Sequence, residues 1–143
     1  METIKDMFSN LNRMGGLYNI SFGKLQLLSN SRMSLEACEY AAEEGRFEDF
    51  HAAVLESYFT DCEDIGDIDI LLKAAEKSGL DKDKLLTALK TGRYSEKLRK
   101  ANDEAMEKEV RAVPTFLIGE TDRISGVQPL EVFERAIEKA GGV

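Results

Sequence analysis

Residues 112–118 read Ala-Val-Pro-Thr-Phe-Leu-Ile, the only strongly strand-like run in the sequence that contains a proline. Proline has no backbone N–H to donate to a sheet ladder, so it belongs at the start of a strand, at an edge or at a bulge. A Gly-Glu-Thr-Asp turn follows at 119–122, then a short second run at 123–126, and an amphipathic helix opens at Pro129. This order predicts a β-β-α unit at the C-terminal end of the chain.

The sequence before this unit is predicted to be helical. Apolar residues at helical spacing within residues 1–14 predict a first helix, which Gly15 and Gly16 end. Residues 17–22 then alternate, which fits a short strand or an extended connection equally well. About five more helices follow from residue 30, with polar N-caps and glycines after their last turns. The boundary residues are Asn30 or Ser31, Gly45, Asp67, Gly79, Asp81 and Gly92.

Each predicted helix carries an apolar stripe, and we expect that stripe to face the core. Four of the stripes are Leu35, Cys38 and Ala42; Phe47, Phe50, Val54 and Tyr58; Leu98, Ala101, Ala105 and Met106; and, in the last helix, Leu130, Phe133 and Ile137.

Length and charge restrict the class of protein. A chain of 143 residues is enough for one domain with a sizeable core, predicted to span residues 1–143. The net charge is −8 and no basic run occurs, so neither nucleic acid nor an anionic membrane surface is an expected partner. No apolar run approaches the ~20 residues of a membrane helix. The N-terminus carries Glu2 and Asp6, unlike a secretory signal, and we expect a cytoplasmic location.

The residues capable of covalent or metal chemistry are isolated from one another. Cys38 lies on an apolar stripe and is interpreted as a small buried hydrophobe. Cys62 lies between carboxylates, which disfavour its thiolate, and is interpreted as a loop residue. His51, the only histidine, has no local nucleophile to activate. The acidic stretch 61–69 fails the EF-hand pattern because apolar residues occupy ligand positions five and twelve. No metal and no cofactor is therefore expected.

Two sequence elements of the β-β-α unit resemble a known family. They are Val-Pro-Thr-Phe at 113–116 and Ile-Ser-Gly-Val-Gln-Pro at 124–129, followed by a helix with Val132 and Phe133. Together they resemble the C-terminal half of a thioredoxin fold and, more narrowly, the DsbA-type oxidoreductases of the FrnE-like branch. The resemblance extends over roughly residues 25–140, because the middle of the chain is similar to the helical insertion of that branch.

The resemblance implies both a fold and a site. The fold is α/β, an incomplete thioredoxin-like fold in which residues 112–143 form the β-β-α unit and residues 30–111 form a helical insertion. The peptide bond between Val113 and Pro114 is expected to be cis, as in the family, where the backbone of this loop pairs with an extended polypeptide substrate. The residues that the resemblance assigns to this loop are Val113, Pro114 and Thr115, with Gly126, Val127 and Gln128 supporting them.

The sequence lacks the Cys-X-X-Cys motif of the family, because Cys38 and Cys62 are its only cysteines. Two hypotheses from different classes follow. The first is a domain related to thiol–disulfide oxidoreductases that is not redox-competent alone, so that cysteines would have to come from an upstream segment or another subunit. The second is a non-catalytic dimeric binding or structural module derived from the same fold. For the chain by itself we predict no reduction of insulin by a dithiol donor.

The missing half of the family's fold also affects the sheet. In the family, the strand that begins at Thr115 pairs on its second side with a first strand that this sequence lacks. Residues 115–118 would then form an unpaired apolar edge. Three segments could fill the vacant position. They are the equivalent strand of a second copy, residues 17–22 of the same chain, and a segment upstream of Met1. We predict the first of these, a homodimer.

Overall fold

The computed structural model describes residues 4–24, 27–119 and 122–141. Its elements in chain order are α1 (Ile4–Gly15), a 3₁₀ turn (Gly16–Tyr18), α2 (Arg32–Glu43), α3 (Phe47–Phe59), α4 (Ile68–Lys77), α5 (Lys82–Lys90), α6 (Ser95–Glu107), β1 (Thr115–Ile118), β2 (Asp122–Ser125) and α7 (Leu130–Lys139). The predicted order, helices followed by a hairpin and a closing helix, is confirmed. The chain divides into a helical unit, Met1–Leu98, and a C-terminal unit, Arg99–Val143.

Short-range signals set the helix boundaries as predicted. The side chain of Asp67 accepts a hydrogen bond from the N–H of Asp69 at the start of α4. At the start of α5, Asp81 accepts from the N–H groups of both Asp83 and Lys84. Glycine follows the C-terminal end of α4, where Gly79 has a φ of +73°, a conformation that side chains with a Cβ disfavour.

The core of the helical unit lies among α2, α3, α4 and α5. The largest fully buried side chains are Tyr40, Phe50, Leu71 and Leu85. The buried face predicted for α2 is wrong. The helix is rotated about its own axis relative to the prediction, so that a neighbouring stripe of residues faces the core. Ala37, Tyr40 and Ala41 are buried, whereas Leu35 is 51% exposed. The large side chain of Tyr40 fills the centre, and Cys38 packs at the margin of the core.

A polar seam joins α2 to the start of α6. Glu36 is buried, and its carboxylate accepts a hydrogen bond from Ser95 Oγ at 2.9 Å and pairs with Arg32 Nε at 3.3 Å. Lys97 pairs with Glu39 one turn further along α2. A buried carboxylate is costly without such partners, so these contacts explain how α2 accommodates one.

The alternating run at 17–22 forms no strand, so of the two predicted possibilities the strand is wrong. After the 3₁₀ turn, the run continues as an extended connection. The side-chain amide of Asn12 bonds both the N–H and the C=O of Phe22, at 2.8 and 2.9 Å. The N–H of Gly23 donates to the carbonyl of Phe59 at the end of α3, at 2.7 Å. A Cβ on Gly23 would lie 2.4 Å from the carbonyl oxygen of Thr60, so this close approach requires glycine.

In the C-terminal unit, β1 and β2 pair antiparallel, with Phe116 opposite Ile124. The ring of Phe133 on α7 meets that of Phe116 edge-on, with centroids 4.9 Å apart. The predicted apolar stripes of α6 and α7 are not buried, since neither helix has a buried residue. The exposed fraction is 68% for Leu130 and 47% for Ile137. No helix in the described ranges is long and apolar enough to cross a membrane.

Candidate functional site

The structure brings the predicted loop residues together where the first strand begins. The peptide bond between Val113 and Pro114 is cis. The hydroxyl of Thr115 donates to the carbonyl of Ala112 at 2.6 Å, which closes a tight loop around this bond. The carbonyl of Pro114 accepts a hydrogen bond from the N–H of Gly126 at 2.8 Å. The loop is therefore held both by its own side chain and by the end of β2.

The segment after β2 supports the loop from its second side. Gly126 has a φ of +75°, in the left-handed region that favours glycine. This conformation turns the chain so that the side-chain amide of Gln128 donates to the carbonyl of Ser125 at 3.1 Å. Ser125 is paired with Thr115 across the hairpin. Gly126 and Gln128 thus shape the turn that carries the hydrogen bond to Pro114.

Exposed apolar side chains occur in the loop and in the segment that directly follows Gly126. The exposed fraction is 88% for Val113, 90% for Val127 and 68% for Leu130. Within the part of the chain that the structure describes, neither the N–H nor the C=O of Val113 has a hydrogen-bond partner. An apolar rim beside unpaired backbone groups suits an extended polypeptide, which offers backbone groups and side chains together. Sequence reasoning missed Leu130, because its helical spacing marks it as a core residue.

The hairpin fixes which backbone groups of β1 point outward. Hydrogen-bonded and non-hydrogen-bonded pairs alternate along an antiparallel ladder. Since the N–H of Gly126 bonds to Pro114, the groups of Phe116 and Ile118 point toward β2 as well. Those of Thr115 and Leu117 point to the opposite edge. This edge continues the loop, so the site and the open side of the sheet are contiguous.

An arginine that sequence reasoning missed holds the segment that leads from α6 into the loop. Arg123, in the middle of β2, donates to the carbonyls of Lys108 and Glu109 at 2.9 and 3.3 Å. It also pairs with the Glu109 carboxylate at 3.1 Å. These bonds fix the segment that follows α6 and leads into the loop. The only signal in the sequence is a basic residue within the second short run of the hairpin.

The reactive side chains lie elsewhere. Cys38 and Cys62 are both free. Burial, reinforced by the charge of Glu39, raises the pKa of the Cys38 thiol to about 11. At neutral pH such a thiol is almost entirely protonated and a poor nucleophile. His51 stacks on Phe47, with ring centroids 5.1 Å apart. No group of His, Cys, Asp and Glu side chains suited to a metal ion occurs in the described ranges.

The sequence is similar to a known protein family and to a protein of Bacillus subtilis. The sequence matches the family described as DSBA-like thioredoxin domain over residues 1–138, which begins earlier than the resemblance predicted from the motifs. It is 39% identical over 106 residues to the protein named Uncharacterized protein YwbO from Bacillus subtilis (strain 168), covering 73% of this chain and 52% of YwbO.

A solved structure is similar as well. The crystal structure of a probable DsbA oxidoreductase from Streptomyces coelicolor superposes with a TM-score of 0.79 and 24% identity, over 95% of this chain and 59% of that one. At this identity the likeness concerns the fold, which is the predicted thioredoxin-like α/β fold with a helical insertion. The chain spans between half and three-fifths of the length of these two relatives.

Proposed function

Because the chain belongs to the DSBA-like thioredoxin domain family, we propose that it is a polypeptide-binding domain that does not exchange disulfides by itself. The loop of Val113, Pro114 and Thr115, supported by Gly126 and Gln128, receives an extended segment of the bound polypeptide. The backbone of Val113 pairs with that segment, in the manner of an added β-strand.

One observation carries this proposal: the backbone of Val113 has no partner in the described ranges and stands beside an exposed apolar rim. Soluble proteins seldom expose clustered apolar side chains unless that surface binds something, and the solvated backbone groups of Val113 are free to pair with an added strand. The hydrogen bond from Gly126 to Pro114 holds the loop in place before a ligand arrives, and the bond from Gln128 to Ser125 fixes the turn that contains Gly126. A pre-formed loop lowers the entropic cost of binding.

The cysteines support the absence of disulfide exchange. Exchange needs a thiolate with an accessible partner thiol, usually within Cys-X-X-Cys. Cys38 is partly buried and its raised pKa of about 11 keeps it protonated. The alternative is an oxidoreductase whose cysteines come from a further segment or another subunit. The length of the two relatives, of which this chain spans 52% and 59%, favours this alternative.

A binding measurement with a matched control tests the proposal. The probe is an unfolded polypeptide, reduced and carboxymethylated lactalbumin labelled with fluorescein, and the readout is fluorescence polarisation. We expect Val127→Asp to weaken binding by about tenfold, since it places a charge in the apolar rim. Leu28→Asp makes the same change at a side chain that is 88% exposed in the helical unit, and it should bind like wild type.

Two outcomes contradict the proposal. One is the absence of saturable binding by wild type, and the other is an equal loss of binding in both variants. Reduction of insulin by the wild-type chain with a dithiol donor, abolished by Cys38→Ser or Cys62→Ser, would separately overturn the absence of disulfide exchange.

Two further features complete the proposed function. We place the chain in the cytoplasm, where free cysteines persist. We also expect a homodimer, because a two-stranded sheet is marginal on its own and β1 offers an edge for pairing.

A further inference from the structure

Within the residues that the structure describes, the outer edge of β1 is unpaired, and the strand itself carries neither a charge nor a proline. Among the described residues the sheet consists of β1 and β2 alone. Natural proteins protect such edges with charged side chains, bulges, prolines within the strand or a covering element. The sequence of β1 is Thr-Phe-Leu-Ile, without a charge, and Pro114 precedes it. This strand is suited to pairing on both of its sides.

The outward groups of β1 are arranged symmetrically. The N–H and C=O groups of Thr115 and Leu117 point to the open edge, one residue on each side of Phe116. An antiparallel second copy, related by a two-fold axis at Phe116, would place Thr115 opposite the copy's Leu117 and the reverse. All four outward N–H and C=O groups of each strand would then be paired.

The uncovered part of the sheet lies along this same edge. On the face that α7 covers, Ile124 of β2 is 7% exposed, whereas Phe116 of β1 is 41% exposed. On the other face, Leu117 is 49% exposed. The helix therefore protects β2 better than β1, and a strand added beside β1 would bury what remains.

The exposed apolar side chains of α7 are also arranged symmetrically about the position of Phe116. Lys139 pairs with Asp122 at 2.8 Å, next to Ile118, so α7 runs in the same direction as β1. Leu130 and Ile137 share a face of the helix with Phe133, three residues before it and four after it. A two-fold axis near the Phe116–Phe133 pair brings Leu130 of one copy toward Ile137 of the other.

We propose that two copies of this chain pair antiparallel through β1, about a two-fold axis at Phe116, to form a continuous four-stranded sheet. The inference rests on the homodimer of the proposed function and locates its interface. A second copy fits this edge because both the backbone groups and the apolar side chains are self-complementary about one axis. The chain carries a net charge of −8, yet the pairing strands bring no charged residues opposite each other.

A charge at position 117 tests the interface. Light scattering after size exclusion should give wild type twice the 16.0 kDa mass of the chain at micromolar concentration. In the proposed register the two residues at position 117 lie diagonally, about 7–8 Å apart. Leu117→Lys should therefore raise the dimer dissociation constant at least about tenfold. Leu35→Lys makes the same change in the helical unit, at 51% exposure, and should remain dimeric.

Mixing complementary charges keeps the test decisive if a single variant is damaged. Leu117→Lys and Leu117→Glu should each be monomeric, and an equimolar mixture should recover the dimer mass. A monomeric wild type, a dimeric Leu117→Lys variant, or a mixture that stays monomeric would overturn the interface. Polypeptide binding, measured at protein concentrations below the dimer dissociation constant, reports separately on the proposed function. Binding that persists while the wild type stays monomeric refutes this inference and the expected homodimer, and it leaves the proposed polypeptide binding standing.

Discussion

The helical unit and the C-terminal unit bury their apolar side chains to very different extents. All buried apolar residues in the described part of the chain, except Ile124, lie before residue 99. Among the described residues, four large side chains of the helical unit are fully buried, whereas α7 and α6, most of which lies after Leu98, contain no buried residue. Both units carry amphipathic helices of similar length. For α7 the difference lies in whether its apolar face has a partner, whereas α6 is also richer in polar and charged residues than the helices of the core.

This contrast separates two roles within one chain. A unit with a packed core supplies stability, because fully buried side chains contribute most of the hydrophobic free energy of folding. A unit with exposed apolar side chains beside open backbone groups has that free energy left for association. The candidate site lies in the second unit. The proposed interactions, with a polypeptide and with a second copy, would both complete what this unit leaves exposed.

A pair of phenylalanines gives the largest expected effect. Phe50 is fully buried in the helical unit and Phe116 is 41% exposed in the C-terminal unit. Phe50→Ala should lower the free energy of unfolding by about 3–5 kcal/mol, as expected for a large cavity. Phe116→Ala, which removes only part of a buried surface, should cost about 1–2 kcal/mol. Urea unfolding followed by circular dichroism measures both.

Hydrogen exchange of the same two variants tests whether the units are energetically separate. Phe50→Ala should accelerate exchange in α2 to α5, and Phe116→Ala should do so only after residue 98. Equal acceleration throughout the chain in both variants would mean that the two units unfold together, and the contrast between them would then not extend to stability.

The sequence predicts the two units with unequal success, for a physical reason. Caps and glycine stops depend on neighbouring residues, so Asp67, Asp81 and Gly79 are recognised correctly. Which face of a helix is buried depends on distant partners. In α2, burial of Tyr40 means that the helix turns a different face to the core than its spacing predicts. In α7, Leu130 is exposed although its spacing predicts burial.

The candidate site shows the same limit. The motif around Pro114 predicts which residues surround the loop, and the structure brings them together. The outward direction of the groups on Thr115 and Leu117 follows only from the ladder register, which a sequence does not contain. The anchoring role of Arg123 likewise depends on where the end of α6 lies.

A pair of glycines gives an intermediate effect and tests the local part of this argument. Gly79 has a φ of +73° with no heavy atom close to a built Cβ, so Gly79→Ala would introduce backbone strain without a clash. The expected cost is about 1–2 kcal/mol. Gly16 is equally open but does not have a positive φ, and Gly16→Ala should be neutral or slightly stabilising. Equal effects in thermal unfolding of the two variants would contradict the role of Gly79 as a required helix stop.

The smallest effect at neutral pH concerns Cys38, and it grows only in alkaline solution. Burial, with a smaller contribution from Glu39, raises the pKa of this thiol to about 11 in the folded chain, against about 8.5 when unfolded. Above the unfolded value the unfolded chain loses its thiol proton first. The stabilisation is therefore complete at pH 7 and is lost as the pH rises toward 11.

Urea titrations of wild type and Cys38→Ala between pH 7 and 10.5 measure this loss. Wild type should lose stability more steeply than the variant, and Glu39→Gln, which lowers the folded pKa, should reduce the steepness. Both cysteines lie in the helical unit. As the pH rises, hydrogen exchange should therefore accelerate at a lower pH in α2 and its neighbouring helices than in the hairpin. Parallel pH curves for wild type and Cys38→Ala would mean that the thiol is as well solvated in the folded chain as in the unfolded one, and that the core boundary at Cys38 is misplaced.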